Sequence, residues 1–324
     1  YSLLPEIVQE NYSHLNHEDV NQLLDETWVP GWEYEEVVGF KERARSGEHV
    51  NVNSFGFRST LDGEEFRNFL DGGIWFFGGS TTFGYGVRDD ETIPSTLDKL
   101  LDENVVNLGR GYYYSHQENL LLEALLSSGV RPSSVVFLDG INERCSIRTY
   151  QQQMATLFES AQNNRSSIPE YAFSIIKPLF NFTLKVFRKL GVNLNVASQS
   201  EDLQSISCNV YGSNMNLEAV LRTNLAKRQQ VCNFYQIECR TFLQPFAGTH
   251  GMHLSLIDLN ETSRQSLEQK FEHLHEAFLA HEVNDITTAL DDLNAHAFID
   301  GVHYSYDANK LLAQAIHSEI SVTP

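Results

Sequence analysis

Short apolar runs bounded by turn residues alternate along the chain with longer stretches of helical spacing. Ile74–Phe77, flanked by Gly73 and Gly78, suits a buried parallel strand. Val105–Leu108, Ser134–Leu138 and Glu238–Leu243 are three further strands in the same mould. Between and after them, helices are predicted over Glu91–Glu103, Ser115–Ser128, Leu217–Phe234, Ser263–His281, Ile286–Leu293 and Asp307–Ile320. Leu97, Leu100 and Leu101 fall at helical spacing in the first, and Pro94 sits in its first turn, where proline is tolerated. Gly129 closes the second, with Pro132 just beyond. Strands alternating with helices predict an α/β fold, a parallel sheet with helices on both faces.

Two regions break the alternation. Residues 1–58 are irregular and aromatic-rich, with one helix expected at Glu18–Glu26, and read as an N-terminal arm packed on a main domain of residues 59–324. After the third strand, residues 144–213 form a long insertion. It holds a helix at Thr149–Ala161 and an amphipathic stretch at Pro169–Leu190, which reads as a lid over a cleft, a satellite helix or a dimer contact.

Composition narrows the function. In 324 residues, 23 Lys and Arg stand against 43 Asp and Glu, a formal charge of −20. Such a surface repels phosphate backbones and argues against a nucleic-acid partner. No run of about 20 apolar residues spans a membrane; Tyr171–Leu190 is broken by Lys177, Pro178, Asn181 and Lys185. The chain begins at Tyr1, as a processed product would. Cys145, Cys208, Cys232 and Cys239 make no Cys-x-x-Cys pair and permit either two disulfides or free buried thiols. Sequons occur at Asn11, Asn164, Asn181 and Asn260.

The candidate chemistry lies in four loops that leave strand ends, where open α/β sheets bind ligands. Gly78-Gly79-Ser80 brings a serine straight off the first strand. Asp300 and His303 lie three residues apart before the last helix, so the carboxylate can orient one ring nitrogen and leave the other to take a serine proton. The amides of Ser80 and Gly111 and the side-chain amide of Asn142 can hold an oxyanion, with Gly109 the alternative to Gly111. Tyr112 and Tyr113 suit either a sugar subsite or core packing, and Glu143 follows Asn142 at the same loop. Gly109-Arg110-Gly111 lacks the third glycine of a dinucleotide fingerprint, Gly78–Thr82 is no P-loop, and Thr82 replaces the last glycine of a Gly-x-Ser-x-Gly elbow. His250, His253, His273, His275 and His281 make no His-Glu-x-x-His; a solvated helix face accounts for those at 273–281, and no metal is expected.

Taken together, Gly78-Gly79-Ser80, Asn107-Leu108-Gly109-Arg110-Gly111, Gly140-Ile141-Asn142 and Asp300-Gly301-Val302-His303 resemble, in order, the four blocks of the SGNH (GDSL-type) hydrolases. Asn53–Arg58 resembles the lead-in to the serine block in anchored bacterial members. Gly79 stands where an acidic residue is usual, and Glu143 where Asp is usual. The resemblance implies a three-layer α/β/α, flavodoxin-like fold with strand order 2-1-3-4-5. It implies a serine esterase acting through an acyl-enzyme on Ser80, without cofactor, on short acyl groups of an acylated small molecule or polysaccharide. An O-acyltransferase with the same triad, or an idle binding module of this fold, are the alternatives. The expected location is extracytoplasmic.

Overall fold

The computed structural model describes residues 6–101, 103–143, 207–210, 213–246, 265, 272, 274–281 and 283–321. The predicted helices at Thr149–Ala161 and Pro169–Leu190, and Cys145, His250, His253 and His273, lie outside the described residues.

A two-stranded antiparallel hairpin, β1 (Trp32–Glu35) and β2 (Gly39–Glu42), precedes the main sheet. The sheet comprises β3 (Ile74–Gly78), β4 (Val105–Asn107), β5 (Ser134–Asp139), β8 (Glu238–Leu243) and β9 (Asn284–Asp285). A separate hairpin, β6 (Ser207–Val210) and β7 (Ser213–Asn216), falls between β5 and β8 in sequence. The sheet order is β4-β3-β5-β8-β9, and every pairing in it is parallel. Renumbered from its first strand, this is the expected 2-1-3-4-5.

All five residues of β3 are buried because helices cover both faces. Trp75 and Phe77 face one way, into a core shared with Leu121, Leu122 and Leu126 of the helix Ser115–Ser127 and Cys232 of the helix Leu217–Tyr235. Ile74 and Phe76 face the other, toward Leu97 of Ile93–Leu100 and Leu312 and Ile316 of Tyr306–Ser321. Period-2 alternation between two apolar cores makes the three layers. Cys232 and Cys239 form a disulfide joining the helix Leu217–Tyr235 to β8.

Two readings need correction. The N-terminal region is more ordered than its sequence suggests: helices run over Glu6–Asn11 and His17–Trp28 ahead of the β1–β2 hairpin. Asn16 accepts from the amides of Glu18 and Asp19 and so starts the second helix before the predicted point. The helix expected at Ile286–Leu293 is replaced by a turn and a 3-10 helix at Asp291–Ala297, which follow the short strand β9. Asp285 accepts from both the amide and the hydroxyl of Thr287, which turns the chain off the sheet edge where a helix would otherwise begin.

Candidate active site

The loop after β3 passes directly into the four-residue helix Ser80–Phe83, closed by Gly84 in the left-handed conformation. Three distant side chains hold it. Thr81 Oγ1 donates to Gln244 Oε1 beyond β8, at 2.8 Å. Asn107 Nδ2 donates to the Thr82 carbonyl at 3.0 Å. Buried Arg58 donates to the carbonyls of Gly84 and Val87, each at 2.6 Å, and pairs with Asp89. The lead-in Asn53–Arg58 is therefore a clamp on the serine loop. The Ser80 amide opens the helix, where the first N–H groups have no intrahelical acceptor.

His303 Nε2 lies 2.8 Å from Ser80 Oγ, and His303 Nδ1 lies 2.7 Å from Asp300 Oδ2. Asp300 Oδ1 also accepts from the amides of Val302 and His303, both at 2.7 Å. Burial opposes the charge on Asp300, but His303 beside it and those two amides outweigh burial and hold the carboxyl below its usual range. An ionised Asp300 draws the Nδ1 proton, which leaves Nε2 as acceptor for the Ser80 hydroxyl. Ser80 and His303 are 9% and 8% exposed, so both are nearly buried.

Asn142 reaches the same place from the loop after β5. Its Nδ2 donates to the Tyr113 carbonyl at 2.6 Å, and a Cβ added to Gly79 would lie 2.3 Å from it. One amide proton is thus spoken for, and the other remains for a ligand. The Asn142 side-chain amide thus occupies the space that a side chain at position 79 would take, where the family resemblance has an acidic residue.

The strand order, the serine leaving the first strand and the Asp-x-x-His before the last helix converge on one architecture. This is a flavodoxin-like α/β/α fold with a Ser-His-Asp chain beside its central strand. Solved structures similar to the chain include a G-D-S-L-family lipolytic protein from Veillonella parvula, 13% identical, covering 77% of this chain and 98% of that one, with TM-score 0.41. An acetylxylan esterase from Geobacillus stearothermophilus is 14% identical, over 78% of this chain and 97% of that one, with TM-score 0.39. The catalytic domain of a peptidoglycan O-acetyltransferase from Streptococcus pneumoniae is 11% identical, over 78% and 94%, with TM-score 0.35. Neither a family model nor a curated protein matches the sequence.

Other residues of the site depart from expectation. The Gly111 amide donates to Glu42 Oε1 at 3.0 Å, so it is not an open oxyanion donor. Its alternative fares no better: the Gly109 amide donates to Asn107 Oδ1 at 3.0 Å. Tyr113 is a core residue, its hydroxyl donating to the Phe40 carbonyl and accepting from Arg110. Tyr112 is half-buried against Trp32, at a φ of 65°, a backbone conformation that costs a bulky residue of order 1–3 kcal/mol. Glu143 turns inward and accepts from the amide and hydroxyl of Ser115.

Glu143 belongs to a buried polar network beneath the Asn142 loop. Arg228 donates to Asp139 Oδ2 at 2.6 Å, to Glu118 Oε2 at 3.0 Å and to Asn119 Oδ1 at 3.0 Å. Gly79, Thr81, Glu118, Asp139, Asn142 and Glu143 line a cavity of about 10 Å³, room for one water. Burial and the charge of Asp139 push the Glu143 carboxyl up to about 7, against the pull of Ser115 and Arg228. Burial first, then Asp139, also raises Glu118 well above its usual range.

Rings from outside the four blocks surround the histidine. Tyr85 stacks on the His303 imidazole with centroids 5.4 Å apart, and Trp28 lies T-shaped to the imidazole at 5.1 Å. The Tyr85 hydroxyl donates to Glu42 Oε1 at 2.8 Å. Trp28, Glu42 and Arg228 carry no local sequence signal, since each acts across a long separation in the chain, whereas Arg58 belongs to the lead-in that the sequence does mark.

Proposed function

We propose that the chain is a serine esterase that removes short acyl groups from an acylated carbohydrate through an acyl-enzyme on Ser80. The observation carrying this reading is the unbroken chain Ser80 Oγ–His303 Nε2 and His303 Nδ1–Asp300 Oδ2, at 2.8 and 2.7 Å. Ser80 Oγ attacks the acyl carbon as His303 takes its proton. The Ser80 amide and the second Nδ2 proton of Asn142 hold the oxyanion. The tetrahedral intermediate collapses, the carbon–oxygen bond to the alcohol breaks, and His303 returns the proton to the departing oxygen. Water then repeats the sequence in reverse, with His303 as base, and frees the acid. The restricted exposure of Ser80 favours a small acyl group. The Cys232–Cys239 disulfide supports an oxidising, extracytoplasmic location.

The test is hydrolysis of a short-chain aryl acetate by the intact protein, Ser80→Ala and His303→Ala, with fluorophosphonate labelling of each. Activity and labelling in the intact protein, both lost in folded Ser80→Ala, are expected. An intact protein that neither hydrolyses nor labels would overturn the reading in favour of an idle binding module. Capture of the acyl group by added alcohol in preference to water would move the assignment to O-acyl transfer with the same residues.

A further inference from the structure

The reaction fixes where the alcohol portion of the ester must lie. Its oxygen has to come within hydrogen-bond reach of His303 Nε2 to receive the proton taken from Ser80, as the bond to the acyl carbon breaks. Whatever ring carries that oxygen extends over the next few ångströms around the imidazole. By microscopic reversibility, an accepting alcohol would occupy the same place.

Two aromatic side chains pack against that imidazole, and they differ in what they offer a ligand. Tyr85 is 4% exposed, and its hydroxyl is committed to Glu42. Trp28 is 39% exposed and its plane is nearly perpendicular to both rings of the stacked pair, with centroids 5.1 Å from His303 and 4.8 Å from Tyr85. It is the last residue of the helix His17–Trp28, whose Val20, Leu23 and Thr27 are buried, so its backbone is anchored while its ring stays open. Its indole N–H has no acceptor among the described residues. Trp32 by contrast donates to Glu42 Oε1, and Trp75 is fully buried and donates to the Leu70 carbonyl.

We infer that Trp28 is the carbohydrate platform of the leaving-group subsite, stacking on a sugar ring whose hydroxyl carries the acyl group. A rigid ring with an apolar face and a free edge donor suits a pyranose, which presents an apolar face of C–H groups and a rim of hydroxyls. A fatty alcohol would use the face and leave the donor unanswered. Trp28 thereby sets specificity for the alcohol and takes no part in the proton transfers. The inference rests on the serine-esterase reading for its placement, and it is testable apart from it.

Binding is measured first, without turnover. The intact protein is titrated with xylohexaose and with chitohexaose while tryptophan fluorescence is followed. A saturable change with at least one of them is expected, and Trp28→Phe should remove it, because the other two tryptophans are half-buried or buried. No change with either sugar, or the same change in Trp28→Phe, would overturn the inference whatever the fate of the serine. Turnover is then compared on an acetylated xylo-oligosaccharide and on an aryl acetate. Trp28→Ala should lower kcat/KM on the oligosaccharide by tenfold or more, mostly through KM. Trp28→Phe, which keeps a ring, should recover much of that loss. The fall on the aryl acetate should be several-fold smaller. Equal falls on both substrates, carried by kcat, would mean that Trp28 only supports His303. Failure of fluorophosphonate labelling in the intact protein would strike the esterase reading alone and leave the sugar titration standing.

Discussion

Gly79 and Asn142 fit so closely that a Cβ added at position 79 would lie 2.3 Å from Asn142 Nδ2. The atom in the way is the end of a side chain, which can swing aside at little cost in stability. What moves, however, is the side-chain amide proposed to hold the developing oxyanion. Gly79→Ala and Gly79→Asp are expected to fold with a Tm close to that of the parent. Their kcat on an aryl acetate should fall by about 10²–10³, the usual effect of losing one oxyanion donor. Undiminished kcat in a folded variant would remove Asn142 from the mechanism.

Asp300 holds the imidazole by one oxygen and the backbone of its own turn by the other. Asp300→Asn should keep the turn and lose control of the tautomer. Hydrolysis at neutral pH is expected to drop by roughly 10³–10⁴. The folded-state pKa of Asp300 is depressed, so the stability its charge contributes is present above the unfolded value and is lost as pH falls through the folded one. The parent should therefore lose more stability than Asp300→Asn when taken into strong acid, as read by thermal melts.

Glu143 runs the other way. Its carboxyl, pushed to about 7, keeps a proton in the folded chain that the unfolded chain releases at lower pH. Its contribution to stability therefore declines as pH rises from the ordinary carboxyl range through about 7, and levels off above. Glu143→Gln removes that slope. The Tm of the parent should fall relative to the variant between about pH 5 and pH 7, and parallel curves would contradict the assignment.

Arg228 contacts both Glu118 and Asp139, with side-chain exposures of 3%, 2% and 0%. Arg228→Met would strand those carboxyls without a counter-charge. A loss of about 3–5 kcal/mol in denaturant unfolding is expected. A loss under about 1 kcal/mol would mean that the carboxyls hold protons sufficient to dispense with it.

Much of the fold was legible because its signals are local. β3, β4 and β5 are largely apolar runs between turn residues, and Asp300 and His303 lie three residues apart in the chain. β9 escaped notice because two residues, Asn284 and Asp285, make no pattern. The misreading of Gly109 and Gly111 is more instructive. A glycine after a strand looks like an open amide, but whether it stays open depends on acceptors elsewhere. Asn107 takes one, and Glu42, 69 residues earlier, takes the other. The run Tyr112-Tyr113 likewise gave no sign that its second ring would face the Phe40 carbonyl while the first stayed half open. Arg228 and Asp139 are 89 residues apart, and only the folded sheet brings them together.

Glu42 Oε1 is the meeting point of three donors: the Gly111 amide, the Tyr85 hydroxyl and the Trp32 indole. One oxygen atom thus ties the opening stretch of the chain to the loop after β4 and to the ring beneath the histidine. The opening stretch is accordingly not a handle that can be cut away to leave a smaller working enzyme. A version shortened to residue 59 would lose this oxygen, the Trp28 ring and the Arg58 clamp together, with Ser80, Asp300 and His303 all still present.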